Sequence, residues 1–132
     1  MDVEKAMNEG GLQGITDYHK FLCEQLDRSV LLVRKKLTSL ARVSVNALIV
    51  IDVHAKDVIG KLVKERIYDS NAFDWVSQLR YYWYDNDTGQ ENMWCKCIAT
   101  VFPYGYEYLG NTGRLVITAL TDKCYMTLMG AL

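Results

Sequence analysis

The sequence predicts an α+β chain in which long helices come first, followed by a β-hairpin, a short extended segment and a C-terminal helix. Three features of the 132 residues support this fold class. Apolar residues recur every three or four positions through the first half, which is typical of amphipathic helices. A run of aromatic residues, and then a stretch in which the character of the side chains alternates from one residue to the next, indicate strands. In the last stretch the apolar residues again have helical spacing, and they follow a threonine, which is a common helix cap.

The composition fits one globular domain, or one piece of a larger domain. Half of the residues are hydrophobic, 23% are charged, and 15 Lys and Arg against 16 Asp and Glu leave a formal net charge of −1. Disordered segments instead combine low hydrophobicity with high net charge. The chain also lacks the basic excess of a general nucleic-acid binder and the roughly 20 apolar residues of a membrane span. Neither nucleic acid nor membrane is therefore an expected partner.

The cysteines are expected to be free thiols. No basic stretch followed by an apolar one opens the sequence, so no secretory signal is predicted, and a reducing intracellular compartment is favoured. Cys95, Cys97 and Cys124 could be imagined as a thiolate metal site, but the spacing is not C-x-x-C and no fourth ligand is evident. We expect no metal ligand among them, and buried thiols that pack like small hydrophobes.

Two long helices are predicted in the first half. Residues 1–14, with three glycines, are expected to form a loose lead-in, after which Thr16 or Asp17 would cap the first helix. Residues 43–53 allow a buried strand, but the helical spacing that continues to Val63 favours a second helix, weakened at Gly60 by about 1 kcal/mol relative to alanine. The apolar stripe of the first helix comprises Leu22, Leu26, Val30, Val33, Leu37 and Leu40.

A basic cluster accompanies the first helix and lies mostly off its apolar stripe. Its members are Arg28, Arg34, Lys35 and Lys36. Charges of this kind usually lie on a solvated helix face, which we favour here. A site for phosphate or for an acidic partner is the alternative.

The second half predicts the β-hairpin. A short helix or extended lead-in at 73–79 precedes an aromatic strand at 81–84, a turn at 85–89, and a second strand at 93–102 that Pro103 ends. Alternation along the second strand would give one face to Met93, Cys95, Cys97, Ala99 and Val101. An extended segment then leads through a loop at 110–113 to a final helix, for which Thr121 is the predicted cap.

No catalytic residue is predicted from motifs. His54 lies between Asp52 and Asp57, where a general base or metal ligand is conceivable, but a surface histidine or a satisfied one is favoured. The aromatic run 81–84 could stack on bases, yet the net charge favours a packing role. Glu107, between two tyrosines, could orient a bound group, but a single glutamate does not indicate a specific function. The sequence contains no nucleophile elbow, no H-E-x-x-H and no Walker A pattern.

Four blocks of the sequence are specific enough to compare with a family: ALIVIDVHAKDV at 47–58, FDWVSQLRYYW at 73–83, YGYEYLG at 104–110 and LVITALTDKCY at 115–125. They resemble blocks of dynein heavy chains, and their residues are closer to the axonemal than to the cytoplasmic members. The blocks follow the family's order and spacing, and the similarity extends over about residues 26–132.

The resemblance implies two parts. Residues 1–103 would be the C-terminal part of the linker, with the helices of a linker-type bundle, and 104–132 the beginning of the first AAA+ module, ahead of its phosphate loop. The parent would be an ATP-driven, minus-end-directed microtubule motor of the cytoplasm, cytoskeleton and ciliary axoneme. This chain would couple the linker to the module and would lack the hydrolytic motifs. Its partners would be the remainder of the motor ring and, through the parent complex, dynein intermediate and light chains and microtubules.

The resemblance also implies one cofactor, ATP, in the parent protein. The loop whose main chain lies against the adenine corresponds here to Leu115, Val116, Ile117 and Thr118. Ala119 stands where the family usually has proline, and Lys123 where it usually has arginine. The first change loosens a rigid turn, and the second removes any bidentate contact. This chain alone is therefore not expected to bind ATP tightly.

A second hypothesis describes a different class of protein, a small non-catalytic interaction protein derived from a dynein gene. It would dock on dynein or on axonemal partners through its linker-like helices. Residues 1–14, for which no counterpart is recognised, would distinguish the two hypotheses. A remodelled N-terminus predicts a soluble, monodisperse chain, whereas interrupted linker sequence predicts aggregation through exposed apolar surface.

Overall fold

The computed structural model describes residues 3–85, 89, 91–108, 110 and 113–132. Helices precede a small antiparallel sheet and a last helix, so the predicted α+β class is confirmed. The chain divides into two compact units, which we call the helical unit (1–70 and 109–116) and the sheet unit (71–108 and 117–132). The elements are α1 (Val3–Val33), α2 (Ser39–Glu65), α3 (Phe73–Val76), β1 (Arg80–Asp85), β2 (Glu91–Cys97), β3 (Thr100–Pro103) and α4 (Ala119–Ala131). Within the described ranges, no helix is both long and apolar enough to cross a bilayer.

A sharp bend near the N-terminus of α1 depends on two glycines. Gly11 has φ 54° and ψ −138°, a conformation that residues with a side chain rarely adopt. The chain then folds back so closely that a Cβ on Gly14 would overlap the carbonyl oxygen of Ala6. The prediction of a loose lead-in at 1–14 was therefore wrong, because the described part of it is helical and buries Ala6 and Met7.

α1 ends at Val33, so the predicted apolar stripe does not continue to Leu40 within one helix. Residues 34–38 form a turn before α2 begins. The hydroxyl of Thr38 accepts a hydrogen bond from the backbone N–H of Ala41 at 3.2 Å, which makes Thr38 the N-cap of α2. Spacing alone missed this break because the leucines beyond the turn keep the helical period.

Arg42 closes the same turn from the other side. Its Nη1 donates to the carbonyl of Val33 at 2.8 Å, and its Nη2 donates to the carbonyl of Lys35 at 3.3 Å. Carbonyls at the end of a helix have no intrahelical partner, so this guanidinium satisfies the C-terminus of α1.

α2 confirms the second predicted helix, including the part for which a strand was the alternative. Gly60 lies where α2 meets α1, because a Cβ there would come within 3.0 Å of the Nε2 of His19. The glycine that weakens the helix thus permits close packing. The buried apolar residues of the helical unit are Ala6, Met7, Ile15, Leu22, Ile59 and Leu62.

The sheet unit contains a three-stranded antiparallel sheet in the order β1-β2-β3, preceded by the single turn of α3. The predicted strand at 93–102 is in fact two strands, because β2 ends at Cys97 and Ile98 takes φ 54°. The reversal places Phe102 opposite Cys95, so they share a face. A single strand would have put them on opposite faces. The predicted division into faces was therefore wrong beyond Cys97.

Two predicted turns fall partly outside the described residues. In 85–89, Asp85 ends β1 and its Oδ2 accepts from the N–H of Gly89 at 3.1 Å, while residues 86–88 lie outside the description. In 110–113, Gly110 is described and has φ 65°, and positions 111 and 112 are not. The positive φ of 74° at Gly89 and the one at Gly110 are typical of turn glycines.

One face of the sheet alternates cations with aromatic rings. The guanidinium carbon of Arg80 lies 5.8 Å from the ring centroid of Trp75 and 5.6 Å from that of Tyr82. The Nζ of Lys96 lies 4.8 Å from the centroid of Tyr82 and 4.7 Å from that of Tyr84. These separations are within the roughly 6 Å over which cation–π attraction acts, so the two cations link α3, β1 and β2.

The sheet ends at Pro103, as predicted, and residues 113–118 have no helical or strand structure. α4 begins at Ala119, and its N-cap is Thr118. The prediction of Thr121 as the cap was therefore wrong by one turn. α4 buries none of its residues fully.

Candidate functional site

The four residues predicted to form the adenine loop, 115–118, lie immediately before α4. Leu115 and Val116 belong to the helical unit, and their exposed fractions are 67% and 62%. Ile117 and Thr118 belong to the sheet unit, with Ile117 half-buried. The four residues are consecutive and irregular in structure up to the helix start. Such backbone, outside any ladder, is able to offer N–H and C=O groups to a ligand.

Thr118 is already committed to the helix start. Its backbone N–H donates to the Oγ1 of Thr121 at 2.6 Å, and its own side chain accepts from the N–H of Thr121 at 3.5 Å, which completes a capping box. Its carbonyl accepts from the N–H of Asp122 at 2.9 Å and from the Oγ1 of Thr121, also at 2.9 Å. The main-chain groups most suited to a base contact are therefore those of Leu115, Val116 and Ile117.

The two residues that the resemblance predicts to depart from the family pattern, Ala119 and Lys123, both lie on α4. Ala119 occupies the first helical position, where proline is favoured because the first backbone N–H of a helix needs no intrahelical partner. Lys123 is exposed, one turn further along. Asp122 lies in the first turn, where a carboxylate interacts favourably with the positive end of the helix dipole.

The two acids that flank His54 in the sequence each have another partner. Asp52 accepts a hydrogen bond from the Nε2 of Gln25 at 3.0 Å, which ties α2 to α1. Asp57 instead pairs with Lys56 at 3.1 Å. Among the described residues, no group of three or more His, Cys, Asp or Glu is arranged to hold a metal ion.

The cysteines are free thiols in different environments, and the expectation of burial holds only partly. Cys97 is 1% exposed and its Sγ donates to the carbonyl of Ser77 at 3.3 Å. Burial raises the pKa of the Cys97 thiol, and the nearby charges of Arg80 and Asp122 act in opposite directions. Cys95 is half-buried, and its pKa is also raised by desolvation. Cys124 is exposed on α4, so the prediction of a buried thiol was wrong there.

The aromatic run divides between two environments. Tyr82 and Tyr84 pack under cations on one face, while Tyr81 and Trp83 are 56% and 58% exposed on the other. Glu107 is exposed. The sequence did not predict the hydrogen bonds of Arg42 or the cation–ring contacts of Arg80 and Lys96, because the identity of a basic residue does not indicate its partner. Sequence reasoning could have found Thr118, since Thr-x-x-Thr before an apolar run resembles a capping-box pattern.

Residues 104–132 match the family described as "Hydrolytic ATP binding site of dynein motor region". The match starts directly after Pro103 and includes the irregular segment and α4. This part of the chain is thus similar to the ATP-binding region of dynein motors.

The relatives make this similarity more specific. Human dynein axonemal heavy chain 1 is 51% identical over 132 residues, which is 100% of this chain and 3% of that protein. Human dynein axonemal heavy chain 3 is 51% identical over 99% of this chain, and human dynein axonemal heavy chain 12 is 47% identical over 92%; the matches cover 3% and 4% of those proteins. The chain belongs to the dynein heavy chain family, with axonemal members as its relatives, and it spans only a few per cent of their length.

Proposed function

We propose that this chain is the segment of a ciliary dynein heavy chain that couples the C-terminal part of the linker to the beginning of the first AAA+ module. One observation carries the proposal: the similarity to human dynein axonemal heavy chain 1 extends over the whole chain at 51% identity. Residues 1–103 are assigned to the linker and 104–132 to the module. The ATP-site family match from 104 onwards and the end of β3 at Pro103 support this division.

The activity of the whole protein is part of the same proposal. The parent is an ATP-driven, minus-end-directed microtubule motor in the cytoskeleton of the ciliary axoneme. The motor ring, dynein intermediate and light chains, and microtubules are its partners. The word "axonemal" in the relatives' names and the "hydrolytic ATP binding site" of the family description support this assignment.

Within that motor, this chain positions a nucleotide and does not hydrolyse it. Its 132 residues contain no G-x-x-x-x-G-K-[ST] sequence, so the residues that act on the phosphates belong to other parts of the motor. The main chain of the exposed Leu115 and Val116 and of the half-buried Ile117 offers polar groups beside apolar side chains, which suits a flat base with hydrogen-bonding edges. The capping box at Thr118 determines where this segment ends and α4 begins.

Phosphate release from ATP tests the hydrolytic part of the proposal. The purified chain is expected to release phosphate no faster than buffer, and calorimetric titration with ATP should show no micromolar affinity. Turnover above background that a folded variant with a substitution within 104–132 abolishes would refute the proposal. Retained turnover in such a variant would indicate a contaminating ATPase.

A proline substitution tests the proposed contact of the main chain with adenine. In a purified motor that contains this segment, Val116→Pro removes one backbone N–H and should weaken ATP binding about fivefold, the usual effect of one hydrogen bond. Val116→Ala keeps the N–H and serves as the control, with an expected change below about twofold. Equal affinities of the two variants would contradict a contact through this N–H.

No specific observation favours the remodelled interaction protein. Residues 1–14 were expected to have no counterpart, but the match to human dynein axonemal heavy chain 1 covers 100% of the chain and therefore includes them. Met7 within this stretch is 2% exposed and belongs to the core of the helical unit. The N-terminal stretch is thus included in the similarity to the family and contributes to the core of the helical unit.

A further inference from the structure

The turn between α1 and α2 concentrates positive charge. We call this region the basic corner and define it as Arg28, Arg34, Lys35, Lys36 and Arg42, all of which are exposed. No Asp or Glu occurs anywhere from residue 28 to residue 51, in a chain whose net charge is −1. Such residues usually lie on a solvated helix face, but three of them, Arg34, Lys35 and Lys36, lie in the turn itself.

The basic corner differs from the other lysines of the same unit. Elsewhere on α1 and α2 each ion pair joins a lysine to an acid on the same helix: Lys5 with Glu9, Lys20 with Asp17, Lys56 with Asp57, and Lys61 with Glu65. In the described part of the chain, no salt bridge involves a residue of the basic corner. Its charge is therefore not neutralised locally.

Two of the five cations of the basic corner donate side-chain hydrogen bonds to backbone carbonyls, and the other three form its centre. The two terminal nitrogens of Arg42 donate to the carbonyl of Val33 at the end of α1 and to that of Lys35 in the turn, and the Nε of Arg28 donates to the carbonyl of Glu24 at 3.3 Å. Arg34, Lys35 and Lys36 remain, next to the N-terminus of α2. The first turn of that helix contains no acidic residue, so the positive end of its dipole adds to their potential.

Exposed leucines flank these cations on both helices. Leu31 on α1 is 58% exposed, Leu32 is 42% exposed, and Leu40 on α2 is 65% exposed. Apolar side chains beside unneutralised cations form a mixed surface, and such a surface is typical of protein interaction sites.

We propose that the basic corner binds an acidic peptide segment of another protein. Carboxylates of that segment pair with Arg34, Lys35 and Lys36, and its apolar side chains pack on Leu31 and Leu40. Charge complementarity favours this occupant. A flat lipid surface fits less well, because the cations form the tip of the turn while the leucines lie behind it on the helices. A peptide that lies along the helices reaches both.

Fluorescence anisotropy tests the proposal on the full chain. The probe is a fluorescein-labelled peptide of alternating glutamate and leucine, and a peptide of alternating glutamine and leucine is its uncharged control. The triple variant Arg34→Gln, Lys35→Gln, Lys36→Gln should bind the acidic probe about tenfold more weakly, since three exposed ion pairs together contribute about that factor. The matched control Lys56→Gln, Lys61→Gln, Lys64→Gln removes the same charge from α2 and should bind within about twofold of the unsubstituted chain.

Four results would overturn the proposal. The first is equal weakening in both triple variants, which would indicate attraction by net charge alone. The second is equal binding of the charged and uncharged probes. The third is no binding of the acidic probe at low ionic strength by a chain that circular dichroism shows to be folded. The fourth is binding to phosphatidylserine vesicles without binding to the peptide, which would assign the basic corner to a membrane.

Discussion

The helical unit and the sheet unit are stabilised in different ways. In the helical unit, Gly14 and Gly60 let helical segments approach closely, and six apolar residues are buried in the described part. In the sheet unit, the buried residues of the described part are Trp75, Ser77 and Cys97, and cation–ring contacts join its strands. Its last helix, α4, exposes 72% of Leu120 and 60% of Leu128.

The difference concerns where the stabilising contacts lie. Burial of apolar surface contributes about 25 cal/mol for each Å² removed from water, so a unit with its own apolar core has an internal source of stability. α4 has a capping box but no buried residue, and isolated helices shorter than about 12 to 15 residues are marginal in water. We therefore expect large mutational effects in the helical unit and smaller, local ones around α4.

The largest effect is expected from Leu62→Ala. Leu62 is 1% exposed in the core of the helical unit, and truncation of a buried leucine costs about 3 kcal/mol of the free energy of unfolding. Leu48→Ala on the same helix is the control, because Leu48 is 54% exposed and its change should stay below about 0.5 kcal/mol. Urea unfolding followed by circular dichroism measures both. Similar losses in the two variants would show that this core does not stabilise the unit.

Gly14→Ala should have the second largest effect, a loss of about 2 kcal/mol of the free energy of unfolding. The added Cβ would overlap the backbone of Ala6, which cannot rotate away as a side chain would. Gly10→Ala is its matched control, since a Cβ there meets nothing within 4 Å and alanine is the better helix former. The thermal midpoint should fall for the first variant and stay equal or rise for the second. A fall for Gly10→Ala alone would contradict the fold-back of α1.

Thr118→Ala should cost about 1 kcal/mol, confined to α4. The substitution removes the hydroxyl that accepts from Thr121 at the helix start. Amide hydrogen exchange should become faster in the first turns of α4, whereas α2 keeps its protection. Thr127→Ala is the control, because the Oγ1 of Thr127 bonds to the carbonyl of Lys123 within the helix. Unchanged exchange in α4 of the Thr118 variant would exclude Thr118 as its cap.

Ala119→Pro should have the smallest effect, a stabilisation of about 0.5 kcal/mol. Position 119 is the first of α4, and the extended backbone of Thr118, at φ −123° and ψ 171°, is the conformation that a following proline favours. The thermal midpoint of the chain measures the gain. A clear loss of stability would mean that the departure from the family's proline reflects a different local backbone.

The sequence predicted the type and order of most elements, and the errors have identifiable causes. α2 and the aromatic strand followed from periodicity. The helical start of α1 was missed because Gly10, Gly11 and Gly14 suggest a loop, whereas two of them allow the fold-back. The turn at Ile98 was missed because neither it nor Ala99 is a typical turn residue.

The candidate site was predictable only through resemblance. Nothing in Leu115, Val116 and Ile117 distinguishes a loop that contacts adenine from any apolar extended segment. The capping box that removes the N–H of Thr118 from such a contact depends on a hydrogen bond to Thr121, for which the Thr-x-x-Thr spacing was the available signal in the sequence. The four-residue site predicted from the sequence is therefore refined to its first three members as a proposal.

Photolabelling of a dynein motor that contains this segment tests the central claim most directly. Azido-ATP would be cross-linked to the motor with and without excess ATP, and the modified peptide identified by mass spectrometry. The account predicts ATP-protected labelling within residues 115–118, with none on the helical unit's α1 or α2. Protected labelling confined to regions outside 104–132 would contradict a role for this chain in holding the nucleotide.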